Sequence, residues 1–202
     1  MQNWKQANEW ESNWWGDCLD TVGEEIKQRT YNRLMGLDIL QYDLQKKSVL
    51  DIGGGPVSLL LKYTNRDYCL VVDPLKVPEW VKLRYKESGI DFVNVPAERI
   101  LYLPEKFDEC WIYNCLQHVE DPQKIIKLAQ DSCNTIRIFE WIDTPITAGH
   151  IHTLRRTALN KWLDGEGKVE EINENGCIGT CYYGVFYTPS YKRILKRRAK
   201  RK

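Results

Sequence analysis

Two spacings of apolar residues recur along this chain of 202 residues. Apolar residues at helical spacing, with charged residues between them, predict amphipathic helices. Short, nearly continuous apolar runs that end at glycine, aspartate or another polar residue predict buried strands. The predicted strands span residues 48–52, 68–72, 91–95, 107–113 and 135–141. The predicted helices span residues 21–40, 57–63, 78–87 and 123–130, and a further helix runs from after residue 153 to about residue 163.

The alternation of strands and helices predicts an α/β fold, with a single doubly wound, mostly parallel seven-stranded sheet and helices on both faces. Two β-rich runs, residues 168–172 and 180–187, predict a hairpin at the edge of the sheet that supplies an antiparallel C-terminal strand. We expect three parts: a Trp-rich lid with a helix over residues 1–45, a core over 46–190 and a basic tail over 191–202.

The composition is that of an ordinary globular protein, with 43% hydrophobic and 28% charged residues. The sequence has no apolar run of membrane-spanning length and no leader pattern, so we expect a soluble, cytoplasmic protein. Seven cysteines are scattered without a Cys-x-x-Cys pair. They favour reduced, buried thiols over a disulfide framework or a zinc site.

Two segments depart from this average. Four of the eight tryptophans, among them Trp10, Trp14 and Trp15, lie in the first 15 residues. This segment either folds over a ligand cleft as a lid or packs onto the helices beside the sheet. At the other end, eight of the last eleven residues are lysine or arginine. Such a tail is either solvated or makes a weak contact with a nucleic acid or another anionic partner.

The first βα turn contains Gly53, Gly54 and Gly55, which directly follow the first predicted strand. In a doubly wound sheet, ligands bind beyond the carboxyl ends of the strands, and glycines there let the backbone approach a ligand. Asp73 ends the second predicted strand, 20 residues after Gly53. A carboxylate at that place can accept both hydroxyls of a ribose, so the two features together predict a nucleoside site.

Two neighbours of the glycines disfavour a dinucleotide. Pro56 removes one amide donor from the turn, and Asp51 would repel a phosphate. A carboxylate there suits a cationic ligand instead. The sulfonium and amino groups of S-adenosylmethionine fit that description.

Four segments resemble the class I methyltransferases. The pattern Asp51-x-Gly53-x-Gly55 resembles their first motif, residues 71–74 resemble their ribose-binding strand end, and residues 95–98 resemble their adenine-contacting loop. Residues 107–122 closely resemble the fourth-strand region of the type 11 branch. The likeness runs over residues 48–142, with Val57 standing where a third glycine is common.

This resemblance implies S-adenosylmethionine as the cofactor. It implies that the loop of Asp51, Gly53, Gly54 and Gly55 lies beside the methionine moiety and that Asp73, followed by Pro74, holds the ribose. It also implies that Ala97 and Glu98 border the adenine and that Asn114 and Leu116 line the methionine side.

The three histidines of the chain, His118, His150 and His152, follow the fourth and fifth predicted strands. Both loops lie at the carboxyl edge of the predicted sheet, so the histidines are candidate catalytic or substrate-binding residues. An ordinary loop or helix-capping role is the alternative, particularly for His118. A further alternative is a divalent metal site formed by the histidines with Glu140 or Asp143.

We therefore expect an S-adenosylmethionine-dependent methyltransferase that acts on a small polar acceptor, such as a hydroxyl of a metabolite or sugar. One alternative is a nucleic-acid or protein methyltransferase that uses the basic tail, although Asn114-Cys115-Leu116 lacks the Asn-Pro-Pro-Tyr pattern of many base methyltransferases. Others are a non-catalytic module that binds an adenosyl ligand and a nicotinamide-dependent dehydrogenase.

Overall fold

The computed structural model describes residues 3–37, 40–103 and 105–199. Within them, the seven strands are β1 (Val49–Ile52), β2 (Cys69–Val72), β3 (Asp91–Val93), β4 (Phe107–Tyr113), β5 (Cys133–Trp141), β6 (Lys168–Glu174) and β7 (Cys177–Tyr187). They form one sheet in the order β3-β2-β1-β4-β5-β7-β6. β1 to β5 are mutually parallel, and β7 runs antiparallel to both of its neighbours. The predicted seven-stranded sheet is confirmed.

The six described helices are α1 (Trp4–Trp15), α2 (Val22–Leu34), α3 (Glu79–Glu87), α4 (Pro122–Ser132), α5 (Arg156–Leu163) and α6 (Pro189–Ala199). Two apolar clusters cover the two faces of the sheet. Trp111 of β4 packs with Tyr31 of α2, whereas the next residue, Ile112, packs with Ile125 of α4 and Leu159 of α5. Because successive strand residues point to opposite faces, helices cover both sides of the sheet.

The strand order reverses between β1 and β4. The chain runs from β1 outward through β2 and β3, and then returns to place β4 on the other side of β1. Ile52 at the end of β1 pairs with Ile112 near the end of β4. The loops that follow these two strands therefore lie side by side at the carboxyl edge, where this class of sheet binds ligands.

The predicted helix over residues 57–63 is wrong. The segment forms two short 3₁₀ turns, Gly55–Val57 and Leu59–Lys62, separated by the extended residue Ser58. Pro56 cannot donate a helical hydrogen bond, and the Ser58 hydroxyl accepts from the Leu60 amide at 3.0 Å, which starts a new turn.

Two other predicted elements are too long. The helix predicted over residues 21–40 ends at Leu34, because Gly36 has a left-handed φ of 65° that stops it. Residues 38 and 39 of that prediction lie outside the described residues. β3 was predicted to reach residue 95 but ends at Val93. The next residue, Asn94, donates from its side chain to the carbonyl oxygens of Asp73 and Leu75.

The predicted C-terminal hairpin is confirmed, with a turn at Asn175 and Gly176 whose φ angles of 49° and 73° suit a tight hairpin. β7 lies inside the sheet, so β6 is the edge strand. The basic run up to Arg198 lies in α6, whereas Lys200, Arg201 and Lys202 lie outside the described residues.

All seven cysteines lie in the described ranges, and each is buried and free, as expected. No helix in the described part of the chain is both long and apolar enough to cross a membrane.

Candidate active site

A cavity of about 290 Å³ lies at the carboxyl edge, between the loops after β1, β2 and β4 and the helix α1. Its lining includes ten of the residues predicted to bind the cofactor or to act in catalysis: Gly53, Gly54, Gly55, Asp73, Pro74, Ala97, Glu98, Asn114, His118 and His150. Helix α1 covers these loops with Trp10, Glu11, Trp14 and Trp15. The structure thus brings most of the predicted site together beneath the Trp-rich segment.

The glycine loop is pressed against the loop after β4. Gly53 has a φ of 79°, and a Cβ atom there would lie 2.5 Å from the Cβ of Cys115. A Cβ on Gly54 would lie 2.7 Å from a carboxylate oxygen of Asp51. Glycine is required at Gly53 by backbone conformation and by space, and at Gly54 by space alone, which explains the motif in physical terms.

Asp51 lies beneath this loop and is not part of the cavity lining. Its carboxylate accepts hydrogen bonds from the hydroxyls of Ser58 and Tyr113, the latter at 2.8 Å. Burial raises the pKa of Asp51 to about 7, against the lowering effect of these two bonds. In this arrangement Asp51 joins the loop after β1 to the end of β4.

Asp73 lies at the end of β2 and lines the cavity. One carboxylate oxygen accepts from the Gly55 amide at 2.9 Å, and the other accepts from the Leu75 amide at 2.8 Å. Burial raises its pKa to about 6, although both amide bonds favour the charged form. The carboxylate is therefore fixed beside the glycine loop, at the position predicted for a ribose ligand.

The adenine side and the methionine side of the predicted site are formed by two further loops. Glu98 accepts hydrogen bonds from the amides of Glu120 and Asp121 at 2.8 and 3.2 Å, which ties the loop after β3 to the start of α4. Asn114 adopts a left-handed φ of 51° and accepts from Gln117 at 3.0 Å. Leu116 is fully buried and outside the cavity lining.

Two of the three histidines form part of the cavity wall. The rings of His118 and His150 are nearly perpendicular, with centroids 4.7 Å apart. Burial lowers the pKa of each to about 4, so both are neutral near pH 7. His152 is absent from this lining; its Nε2 lies 2.8 Å from the Val119 carbonyl oxygen, and the residue borders a separate groove.

Glu11 of α1 is a site residue that the sequence analysis missed. Its carboxylate lies 3.5 Å from Nδ1 of His118, and burial raises its pKa to about 7. Close packing holds α1 here, since a Cβ atom on Gly149 would lie 2.6 Å from the ring of Trp10. Only the concentration of tryptophans around Glu11 hinted that this helix covers a site.

Glu140 supports the loop after β4 from behind. It is fully buried, and one oxygen accepts from the amides of Cys115 and Leu116 at 3.1 and 3.0 Å. Its other oxygen has no hydrogen-bond partner among the described residues, and burial raises its pKa to about 8.

The alternative of a metal site is not supported by these positions. His152 borders a different groove from His118 and His150, and Asp143 pairs with Arg155. Among the residues that the structure describes, no group of three or more histidine, cysteine, aspartate or glutamate side chains is arranged to hold a metal ion.

Solved structures share this fold. The N-methyltransferase NodS from Bradyrhizobium japonicum WM9, in complex with S-adenosyl-L-homocysteine, is 14% identical with a TM-score of 0.60, covering 81% of this chain and 88% of that chain. A chain in the complex of the Haloferax volcanii Trm112 methyltransferase activator with a methyltransferase is 10% identical with a TM-score of 0.63, covering 89% and 98%. The plantazolicin methyltransferase BpumL, in complex with a monoazolic desmethylPZN analogue and S-adenosyl-L-homocysteine, is 14% identical with a TM-score of 0.50, covering 78% of this chain and 74% of that chain.

The strand order, the glycine loop and Asp73 define a Rossmann-like methyltransferase fold. Residues 50–132 match a family model described as a methyltransferase domain, which confirms the resemblance to the type 11 branch. The chain therefore contains a methyltransferase-domain match within a class I methyltransferase fold, and two of the structures that share this fold, NodS and BpumL, contain S-adenosyl-L-homocysteine, the product that S-adenosylmethionine leaves after methyl transfer. No curated protein matches it significantly.

Proposed function

We propose that this enzyme methylates a small polar acceptor, through a hydroxyl or similar group of a metabolite or sugar held against His118 and His150. The observation that carries this proposal is the pair of neutral histidines in the wall of a covered cavity, beside the predicted cofactor residues. The cavity volume of about 290 Å³ is at the lower end of the range for small-ligand sites. A bulky acceptor would require α1 to move away.

The residues present fit S-adenosylmethionine. The cavity lining includes the acidic residues Glu11, Asp73 and Glu98, which suit a ligand with a net positive charge. Gln28 of α2 also lines the cavity, and its buried Oε1 has no hydrogen-bond partner among the described residues. This oxygen can accept from the amino group of the methionine moiety.

Each predicted cofactor residue has a distinct task in this proposal. Asp73, next to Pro74, accepts the ribose hydroxyls, and Ala97 and Glu98 border the adenine. The backbone of Gly53, Gly54 and Gly55 lies beside the methionine moiety together with Asn114. Asp51 and Leu116 act from behind the lining, where they hold the two loops in place.

The cofactor supplies an electrophilic methyl group on a sulfonium, so the protein must position the acceptor and take up its proton. Nδ1 of His118 lies 3.1 Å from the Gly149 carbonyl oxygen, which can only accept a hydrogen bond. Nδ1 therefore carries the proton, and Nε2 has the lone pair that can accept a proton from the acceptor. The Glu11 carboxylate, 3.5 Å from Nδ1, would stabilise the resulting imidazolium.

A small acceptor is favoured over a polyanionic one for an electrostatic reason. Acidic side chains line the cavity, and the basic helix α6 starts at the opposite edge of the sheet, where Thr188 donates to the Asn134 carbonyl oxygen at 3.0 Å. The basic tail is thus poorly situated to deliver a polyanion to the histidines.

The test is methyl transfer from labelled S-adenosylmethionine into fractionated metabolites, RNA and protein. We expect label in the small-molecule fraction. The His118→Asn variant should lose roughly 100-fold in kcat, with its affinity for S-adenosyl-L-homocysteine retained. The His152→Asn variant is the matched control and should keep full activity. Label in RNA or protein, or full activity of His118→Asn, would contradict the proposed acceptor or the proposed base.

A further inference from the structure

We propose that α6 forms a docking surface for the phosphate backbone of a nucleic acid, separate from the methyl-transfer cavity. The surface consists of Arg193, Lys196, Arg197 and Arg198, and we refer to it as the α6 basic surface. The inference does not depend on the acceptor proposed above.

The α6 basic surface is exposed and lacks local neutralisation. The helix contains no acidic residue, and its first cation, Lys192, pairs with Asp164 at 3.0 Å. The four residues of the surface form no ion pair with any described residue, and all four are exposed. Unpaired cations on one short helix attract phosphate groups and release their counterions.

The position of α6 separates this surface from the cavity. Tyr187 at the end of β7 pairs with Thr135 near the start of β5, and Lys106, just before β4, donates to the Ser190 hydroxyl at 2.8 Å. Both contacts lie at the amino edge of the sheet. The nine residues of β5 span roughly 26 Å before the chain reaches the carboxyl edge at Trp141. A strand of nucleic acid on α6 therefore lies away from the histidines.

The side chains around the cations favour a nucleic acid over a membrane. Tyr187 is 50% exposed, and its ring lies 5.7 Å from the ring of Tyr191, which belongs to the same helix as the arginines. Bases stack on such rings, and guanidinium groups bind phosphates in a bidentate manner. A helix that lies in a membrane needs a broad apolar face, whereas Ile194 is the large exposed aliphatic residue of described α6.

The test is fluorescence anisotropy of a labelled single-stranded RNA of about 20 nucleotides, titrated with the full chain between about 50 and 200 mM salt. Four phosphate contacts predict a slope of log K against log salt near −3, and residues 200–202 would steepen it. Arg193→Gln, Arg197→Gln and Arg198→Gln combined should weaken binding at least tenfold and make the slope shallower by about 2.

The control replaces three exposed lysines elsewhere, by Lys82→Gln, Lys86→Gln and Lys168→Gln, with the same loss of charge. It should bind RNA like the parent chain, and both triple variants should bind S-adenosyl-L-homocysteine normally. Absence of RNA binding, an equal loss in both triple variants, or competition between RNA and S-adenosyl-L-homocysteine would overturn the proposal. So would binding to phosphatidylserine vesicles or an acidic peptide in preference to RNA.

Discussion

Two buried glutamates near opposite edges of the sheet have pKa values that are shifted in opposite directions. Burial alone would raise the pKa of Glu109, near the amino edge, but the hydrogen bonds and charge of Arg137, with Trp111 and Lys47, lower it to about 2. Glu140, near the carboxyl edge, has only amide donors, and burial raises its pKa to about 8. The amino end is thus neutralised internally, whereas the carboxyl end keeps acids that a cationic ligand can neutralise.

Other groups extend this contrast. Burial also raises the pKa of Glu11 and Asp51 to about 7 and of Asp73 to about 6, all at the carboxyl edge. The amino edge instead carries the unpaired cations of α6. The molecule therefore has an acidic cavity at one edge of the sheet and a basic surface at the other.

The largest expected effect is a loss of stability when the largely buried ion pair between Glu109 and Arg137 is removed. Glu109→Gln leaves the guanidinium of Arg137, 15% exposed, without its carboxylate and should lower the free energy of unfolding by roughly 3 kcal/mol. Denaturant unfolding at pH 7 measures this. Glu140→Gln is the matched change at the other end and should not lower stability, because no cation loses a partner. Equal losses in the two variants would contradict the contrast.

The next largest effect concerns the glycine loop. Gly53→Ala forces an alanine into a φ of 79° and a Cβ atom to 2.5 Å from Cys115, so we expect about 100-fold weaker binding of S-adenosyl-L-homocysteine by calorimetry. Gly89→Ala is the control, because Gly89 also has a positive φ, of 67°, but open space around it. It should cost about 1 kcal/mol of stability and leave the affinity unchanged. Normal affinity of Gly53→Ala would remove the loop from the binding site.

Much of this site was predictable from the sequence, because strand ends and glycine turns are local features. The strands, the glycine loop and Asp73 lie where the pattern indicated. The two 3₁₀ turns that replace the predicted helix over residues 57–63 could not be predicted from apolar spacing. That spacing shows neither the missing amide donor at Pro56 nor the cap formed by Ser58.

Contacts between segments that are far apart in the chain could not be predicted from the sequence either. Glu11 meets His118 only because α1 packs over the loop at Gly149. His152 is two residues from His150, yet it borders another groove, since alternate residues of an irregular loop need not share a face. Asp51 matches a motif position but is buried beneath the loop, which no spacing rule reveals.

We expect pH to have a moderate effect on the free energy of unfolding. Glu140 has a folded pKa of about 8 against an ordinary value of 4.5, so its contribution to stability is fully present below about pH 4.5 and is lost as the pH rises through 8. Asp51, Asp73 and Glu11 have the same sign. His118 and His150, whose pKa values are lowered to about 4, reduce stability only below about pH 6.5.

The ligand-free protein should therefore become less stable between pH 6.5 and 8. The Glu140→Gln variant should show a shallower slope, by up to about 1.4 kcal/mol per pH unit near pH 6.5 and by about half of that at pH 8. Thermal or denaturant unfolding across this range checks both statements. A stability that rises with pH in the parent chain, or an identical slope in the variant, would count against uncompensated acids at the carboxyl edge.

The smallest expected effect is a change in ligand affinity when a single carboxylate is removed from the carboxyl edge of the sheet rather than from the amino edge. Asp73→Asn removes a charged acceptor from the predicted ribose position and should weaken S-adenosyl-L-homocysteine binding by about 1–2 kcal/mol, or roughly 5- to 30-fold. Asp164→Asn, which removes the partner of Lys192 at the amino edge, should leave the affinity unchanged. The same calorimetric titration measures both, and similar affinities for the two variants would move the ribose away from Asp73.

Calorimetric titration of the unaltered chain with S-adenosyl-L-homocysteine, and separately with NAD, tests the central claim most directly. The acidic cavity at the carboxyl edge predicts saturable binding of one S-adenosyl-L-homocysteine per chain and no comparable binding of NAD. Absence of S-adenosyl-L-homocysteine binding, or tighter binding of NAD, would contradict the account of this cavity as the site of methyl transfer.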